Sequence, residues 1–180
     1  MNLTVITPPE EEPVSVATAK AHLRVDYATD DALIESYLKA ARELGEALAR
    51  RAFVTQTLRL VVDQIPADRV LKLPRPPLQS VEAITYIDDD GNEHDWTDFT
   101  VDARSEPGRI IFHSLPNASL QESGAIAIEY IAGYESAADM PMVFAQAVLL
   151  TVAHWYENRE MGDLPMGAKT LLKSNRGSWF

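Results

Sequence analysis

Residues 33–63 read LIESYLKAARELGEALARRAFVTQTLRLVVD, and the hydrophobic period changes within this stretch. Through Leu48 the apolar side chains Leu33, Ile34, Tyr37, Leu38, Ala41, Leu44 and Leu48 recur at the 3.6-residue period of an amphipathic helix. Glu35/Lys39, Lys39/Glu43, Arg42/Glu46 and Glu46/Arg50 are oppositely charged pairs four apart, which suit its solvated face. The spacing predicts a helix from Asp31 to Ala52. From Thr55 the period is two. Leu58, Leu60 and Val62 alternate with Arg59, Val61 and Asp63, as in a strand with one buried face.

Upstream, Pro13-Val14-Ser15 is a helix entry with Ser15 as N-cap, and Val16, Ala19 and Leu23 form one apolar stripe. Tyr27 to Asp30 is a turn. Downstream, short strands are predicted at Val70–Leu73, Val81–Ile87, Glu93–Trp96, Phe99–Asp102, Arg109–Phe112 and Gly124–Ile131. They are punctuated by Pro74, Pro76 and Pro77, by the hairpin signal Asp90-Gly91 and by Pro107-Gly108. Gly133 ends the last strand, and Pro141 opens a second long helix. Its residues 142–156, MVFAQAVLLTVAHWY, are apolar nearly all round. Such a helix is buried on every side, and a chain of this size predicts a second subunit for part of that surface. Phe144, Val148, Thr151, His154 and Trp155 are the candidate subunit-interface residues.

Gly162, Pro165 and Gly167 interrupt the pattern, and Leu171, Leu172, Trp179 and Phe180 follow with no periodic partner face. A flexible arm that orders on docking is the expectation, against an alternative in which the tail staples its own sheet. The fold class expected is α+β: N- and C-terminal helices packed as a small helical bundle, an inserted, mostly antiparallel β-sheet unit, and a C-terminal arm. The expected divisions are residues 1–54 with 133–160 for the helical core, 55–132 for the β unit and 161–180 for the arm.

The 180 residues carry a net charge of −11, unevenly spread. Residues 77–158 hold 2 basic against 14 acidic side chains, whereas residues 159–180 hold 4 against 2. A grip on nucleic acid needs cations to replace phosphate counterions, so tight DNA binding is not expected. The absence of cysteine excludes disulfides and thiolate metal sites. No apolar run is long enough to span a bilayer, and the opening MNLTVITPPEEEP lacks the features of a secretory signal. A soluble protein with no membrane association is expected.

No sequence motif of a nucleophilic, nucleotide-binding or zinc-dependent enzyme is present. Asp88-Asp89-Asp90-Gly91-Asn92 invites a calcium reading, but an EF-hand register with Gly91 at the sixth position puts Tyr86 at the first ligand. The histidines His22, His94, His113 and His154 are scattered; His154 with Glu157 is at most a two-ligand pair. No catalytic, metal or cofactor site is expected. Acidic residues in the β unit keep a carbohydrate-directed enzyme or lectin open, provided that aromatics and two facing carboxylates line a concave cleft.

Read in order, several segments resemble the tailed-phage head–tail connector (adaptor) family in its longer form with a β insertion, as found in phages, prophages and gene transfer agents. Pro13-Val14-Ser15-Val16 with Ala19-Lys20-Ala21-His22-Leu23-Arg24-Val25 resembles the N-terminal signature. Asp30-Asp31-Ala32-Leu33-Ile34 with Ala40-Ala41-Arg42 resembles its second helix, and Arg51 to Thr57 its passage from helix to strand. Leu73 to Val81, then Tyr86-Ile87-Asp88 with Gly91, are similar to its strand link and hairpin. Ala132-Gly133-Tyr134, Tyr156 to Glu160, and Leu164-Pro165-Met166-Gly167 with Leu171-Leu172 and Arg176 complete the set. The tail departs from the family at Lys173-Ser174-Asn175 and in the additional Trp179-Phe180.

The resemblance implies a structural, non-enzymatic subunit of a dodecameric ring between portal and tail, assembled in the host bacterial cytoplasm and retained in the particle's neck. It implies portal docking through Leu164, Pro165, Leu171, Leu172, Arg176, Trp179 and Phe180, and a stopper or tail-completion protein on the opposite face. Double-stranded DNA would pass through the channel without tight binding. Another neck component, such as a stopper or tail-completion protein, is the alternative identity.

Overall fold

The computed structural model describes residues 1–116 and 118–177. Two compact units emerge, and both are discontinuous in sequence: Met1–Pro9 with Thr55–Gly133, and Glu10–Val54 with the chain from Tyr134 onward.

The second unit is helical. Helix α1 (Val16–Leu23) starts where Ser15 Oγ accepts the Thr18 N–H at 3.1 Å, and α2 (Asp31–Ala49) follows the turn. Helix α2 ends three residues before the predicted Ala52 because Arg50 turns left-handed, with φ of 57°. After the β insertion come α3 (Met142–Asn158) and α4 (Met166–Ser174). One core joins all four helices, with Ile34, Leu38, Ala41, Phe53, Phe144, Val148, Trp155 and Leu172 among its buried members. Phe53 stacks on Phe144 with ring centroids 4.7 Å apart, and Tyr37 meets Trp155 edge-on at 6.0 Å. Gly45 lies at the closest approach, because a Cβ there would sit 2.9 Å from the Phe53 ring.

The stripe on α2 differs from the predicted one. Leu44 is exposed, and Arg42 and Glu46, read as a solvated pair, are buried. Arg42 donates from Nε to Glu12 Oε2 at 2.8 Å and from Nη1 to Glu46 Oε2 at 3.3 Å. Glu46 Oε1 accepts the Phe53 N–H at 2.8 Å. Burial of a charge is tolerable when every lone pair and proton has a partner, and here the partners are supplied across three separate segments.

The strands of the first unit are β1 (Asn2–Thr7), β2 (Gln56–Val62), β3 (Val70–Lys72), β4 (Leu78–Ile87), β5 (Glu93–Asp95), β6 (Phe99–Asp102), β7 (Arg109–Phe112) and β8 (Ile126–Ala132). They form a five-stranded antiparallel sheet of order β1-β2-β8-β4-β5 and a three-stranded sheet of order β3-β7-β6. Leu58 and Leu60 of β2 pair with Tyr130 and Ile128 of β8, all buried. Trp96 packs on Phe112 of β7 at 4.8 Å, linking the two sheets through their inner faces. Gly108 permits Leu78 to pack on the backbone: a Cβ there would lie 2.4 Å from that of Leu78. Strand β1 has no counterpart among the predicted elements, since its alternation of Leu3 and Val5 with Asn2 and Thr4 is short and is broken at Ile6.

Glu46→Ala leaves the buried Arg42 guanidinium short of one partner and the Phe53 N–H unsatisfied. The expected loss is about 3–5 kcal/mol of unfolding free energy, measured by urea denaturation, with Glu43→Ala on the solvated face near neutral.

Candidate assembly surfaces

Helix α3 divides sharply. Phe144, Val148, Thr151 and Trp155, four of the five predicted interface residues, are 0–2 % exposed and lie in the chain's own helical core. Their side chains are therefore not available to a neighbour. Three other helices, rather than a second subunit, cover this face. Of the predicted set only His154 is exposed, with Asn158 Nδ2 at 3.2 Å from its Nδ1. The outward face of α3 is instead Met142, Gln146, Leu150 and His154, at a repeat of four residues. Met142 is 70 % exposed and Leu150 38 %. Met161, and Met166 at the start of α4, are exposed as well, and a Cβ on Gly167 would reach Leu150 Cδ1 at 3.6 Å. Sequence periodicity missed this stripe because Leu150 and Met142 are as apolar as their buried neighbours.

The C-terminal segment corrects the expectation of an unpartnered arm. Leu164, Ala168 and Leu172 are buried in the helical core, Pro165 and Leu171 are half-buried, and Arg176 is exposed. Arg51 Nε donates to the Asn175 carbonyl at 3.2 Å, and the Gly177 N–H donates to the Ala49 carbonyl at 3.3 Å. Within its described residues the segment does staple the fold, onto α2 and α3. The physical reason is a 3.6-residue stripe of Leu164, Ala168 and Leu172, too short to stand out beside Gly162, Pro165 and Gly167. Trp179 and Phe180, also predicted to dock, lie outside the described residues.

A second polar cluster anchors the other end of α3. The Tyr156 hydroxyl donates to Asp30 Oδ2 at 2.6 Å and lies 3.0 Å from the Tyr27 hydroxyl. The hydrogen bond to the Asp30 carboxylate is the main cause that raises the Tyr156 pKa above its ordinary value. The Arg159 guanidinium lies 4.9 Å over the Tyr156 ring and 3.6 Å from Asp30. This accounts for Tyr156 and Arg159, two residues of the family-like motif, as ties between the α1–α2 turn and α3.

In the β unit the hairpin Asp88–Asn92 brings three carboxylates together. Asp88 accepts the N–H groups of Asp90 and Asn92 at 3.1 and 2.8 Å, and His94 Nε2 lies 2.7 Å from its Oδ2. The His94 contact, then the Asn92 N–H, holds its pKa at about 2. These bonds make the Asp88 carboxylate the cap of the turn. A recess of about 380 Å³ beside β4 is lined by Ile84, Trp96 and Phe99 with Glu82 and Asp95. Trp96 is only 6 % exposed and is covered by Phe112 and Tyr86, so its ring is not open to a sugar.

Residues 13–167 match the family described as Head completion protein. No curated protein matches the chain in sequence. Solved structures share its fold over 98 % of this chain and 95 % of theirs. One is the neck of an empty gene transfer agent (GTA) particle computed with C6 symmetry, at 27 % identity and a TM-score of 0.80. The others are the virion of a native GTA particle, at 27 % and 0.82, and the neck of a native GTA particle computed with C12 symmetry, at 28 % and 0.75.

Two outcomes follow from this geometry. Leu172→Ala is expected to cost about 2–5 kcal/mol of stability in denaturant titration, where a loose arm would show none. Asp88, with its pKa depressed, contributes stability that is fully present above the ordinary carboxylate pKa and lost as pH falls towards about 2. Melting temperature should therefore fall less steeply between pH 4 and 2 in Asp88→Asn than in the parent.

Proposed function

This chain belongs to the head completion protein family, and from that premise we propose that it is a head–tail connector subunit, one copy of a ring in the neck of a phage-like particle. The role is structural and not catalytic. The observation that carries the reading is likeness over nearly the whole chain, insertion included, to proteins of GTA necks, one computed with C12 symmetry. Twelve copies around a DNA channel is the assembly this favours, with assembly in the host cytoplasm before incorporation into the neck.

Within the ring, the outward stripe of α3, Met142, Leu150 and His154 with Met166 of α4, meets the neighbouring copy. Exposed apolar side chains gathered on one helical face are what an interface core requires. The portal side is assigned to the C-terminal segment. Arg176 and Lys173 are exposed there beside the half-buried Pro165 and Leu171, with Leu164 and Leu172 holding the segment from within. Trp179 and Phe180 are assigned to the same contact by their sequence position. The opposite face receives the stopper or tail-completion protein. The charge map supports a channel that does not retain DNA: the β unit holds 6 basic side chains against 13 acidic ones.

Removal of the gene should yield filled heads and separate tails by negative-stain microscopy, and the wild-type chain should restore joined particles. Joined particles in its absence would sink the reading. Met142→Glu with Leu150→Glu should retain the parent's melting temperature but fail to restore joining. In fluorescence anisotropy at 0.15 M salt, where the Debye length is about 8 Å, the isolated protein is expected to show no sub-micromolar affinity for duplex DNA.

A further inference from the structure

Four strands lie at the edges of the two sheets, and three are protected in the usual ways. Strand β5 has three residues, two of them acidic; β3 has three and carries Lys72; β6 has four and ends in Asp102. Short length and charge both discourage pairing with another chain. Strand β1 is different. Its six residues, NLTVIT, include no charge, and Val5 and Ile6 are 55 % and 45 % exposed. Through the pairs Leu3↔Leu60 and Val5↔Leu58 it extends the row of apolar side chains on the core face of the sheet. At that edge Val5 stays exposed among the described residues.

The far side of the same sheet has a matching gap. Strand β4 runs for ten residues, yet β5 pairs with only Thr85, Tyr86 and Ile87. Trp96 N–H reaches the Ile84 carbonyl at 2.8 Å, after which the chain departs, so that among the described residues no strand lies on the outer edge of Leu78 to Ala83. The 380 Å³ recess with Ile84, Trp96 and Phe99 in its wall opens there. The open stretch and β1 are both six residues long, with irregular registers at Ile6 of β1 and at Gln79 and Glu82 of β4.

We infer that β1 of one copy adds to the free edge of β4 in the next copy, so that the sheets join from subunit to subunit. The inference rests on the ring reading above. Strand direction supports it. Strand β1 is antiparallel to β2, β2 to β8, and β8 to β4, so β1 and β4 run in opposite senses within one copy. Rotation about a ring axis preserves each strand's sense along that axis. A neighbour's β1 therefore arrives antiparallel to β4, in line with β5, in the more stable pairing mode. Cyclic symmetry also demands a heterologous contact, which two different edges provide and a β1–β1 contact does not. An uncharged strand with Leu3 and Val5 on one face suits a recess walled by Ile84, Trp96 and Phe99, and its arrival adds no anion beside Glu82 and Asp95.

The absence of native cysteine makes disulfide trapping specific. Thr4, Ser80 and Ala83 lie on the same outward face by the pairing chain Thr4↔Arg59↔Glu129↔Ala83 and by the alternation that places Ser80 opposite Ile131. The full-length chain carrying Thr4→Cys with Ser80→Cys, or Thr4→Cys with Ala83→Cys, covers adjacent registers and should be oxidised in purified particles. The expected result is a ladder of cross-linked multimers on a non-reducing gel in at least one pair, and none in the single variants. Rings visible by microscopy with no ladder in either pair would overturn the strand addition and leave the ring reading intact. Dimers from Thr4→Cys alone would overturn it in favour of β1–β1 contact, and failure to form rings in the parent would remove both. As a second measure, Val5→Lys with Ile6→Lys should leave the monomer's melting temperature within about 2 °C, since both side chains are exposed, while ring formation is lost. Unimpaired rings in that variant would count against β1 as the joining strand.

Discussion

The helical unit depends on one seam, the contact of α2 and the Phe53 turn with α3. Phe53 on Phe144 and Tyr37 on Trp155 join segments that the sequence separates by the whole β insertion. A flexible loop of that length would impose a closure cost on every such contact. The insertion removes most of that cost by closing itself. Gln56, the first residue of β2, pairs with Ala132, the last of β8, so the β unit leaves and returns at adjacent points of one ladder. Gln79 reinforces the closure by donating to Thr55 Oγ1 and to the Gly133 carbonyl, each at 2.8 Å. The sheet can thus be large without loosening the helices that bracket it.

Much of this was legible because period is a local property. The change at Thr55 and the return at Pro141 mark the insertion, and Leu58, Leu60, Ile126, Ile128 and Tyr130 all face inward as alternation requires. Legibility failed where a residue type has two physical uses. Arg42 and Glu46 look like a solvated i,i+4 pair, and only the third partners, Glu12 and the Phe53 N–H, make them a buried network. Those partners are contributed by tertiary structure, and no spacing within α2 announces them. Leu44 was misplaced by the same error, because the stripe rotates to take in Arg42, Gly45 and Glu46.

The assembly surfaces were the least legible part, for a related reason. An apolar helix such as α3 announces that it is covered, not by what. Inside one chain the cover is α1, α2 and α4, and the side chains with the strongest core character, Phe144 and Trp155, belong to that interior. What remains outward is a sparser set of methionine and leucine side chains separated by Gln146 and His154. Methionine adapts to irregular partners more readily than branched residues do, and a surface that must stay soluble as a monomer before it assembles is better served by such a set than by a continuous aromatic patch. Strand β1 was missed because the alternation of Leu3 and Val5 with Asn2 and Thr4 is short and is broken at Ile6.

On the proposed portal assignment, the packed C-terminal segment changes the physics of docking as well as its geometry. A segment that orders only on contact bears its conformational cost at the moment of binding, and affinity falls accordingly. Here Leu164, Ala168 and Leu172 order the backbone during folding of the subunit, and the Arg51–Asn175 and Gly177–Ala49 hydrogen bonds hold its end. Arg176 and Lys173 are then presented from a preformed helix end, with only side-chain freedom left to lose. In a ring this advantage is repeated in every copy, so even a weak contact per subunit becomes a stable seat through effective concentration. On the proposed reading, a neck subunit has to bind its neighbour and remain there. Preformed contacts repeated around a closed ring meet that demand without any single tight site, which is consistent with a chain whose most ordered polar clusters, at Arg42, Asp88 and Tyr156, all tie the subunit to itself.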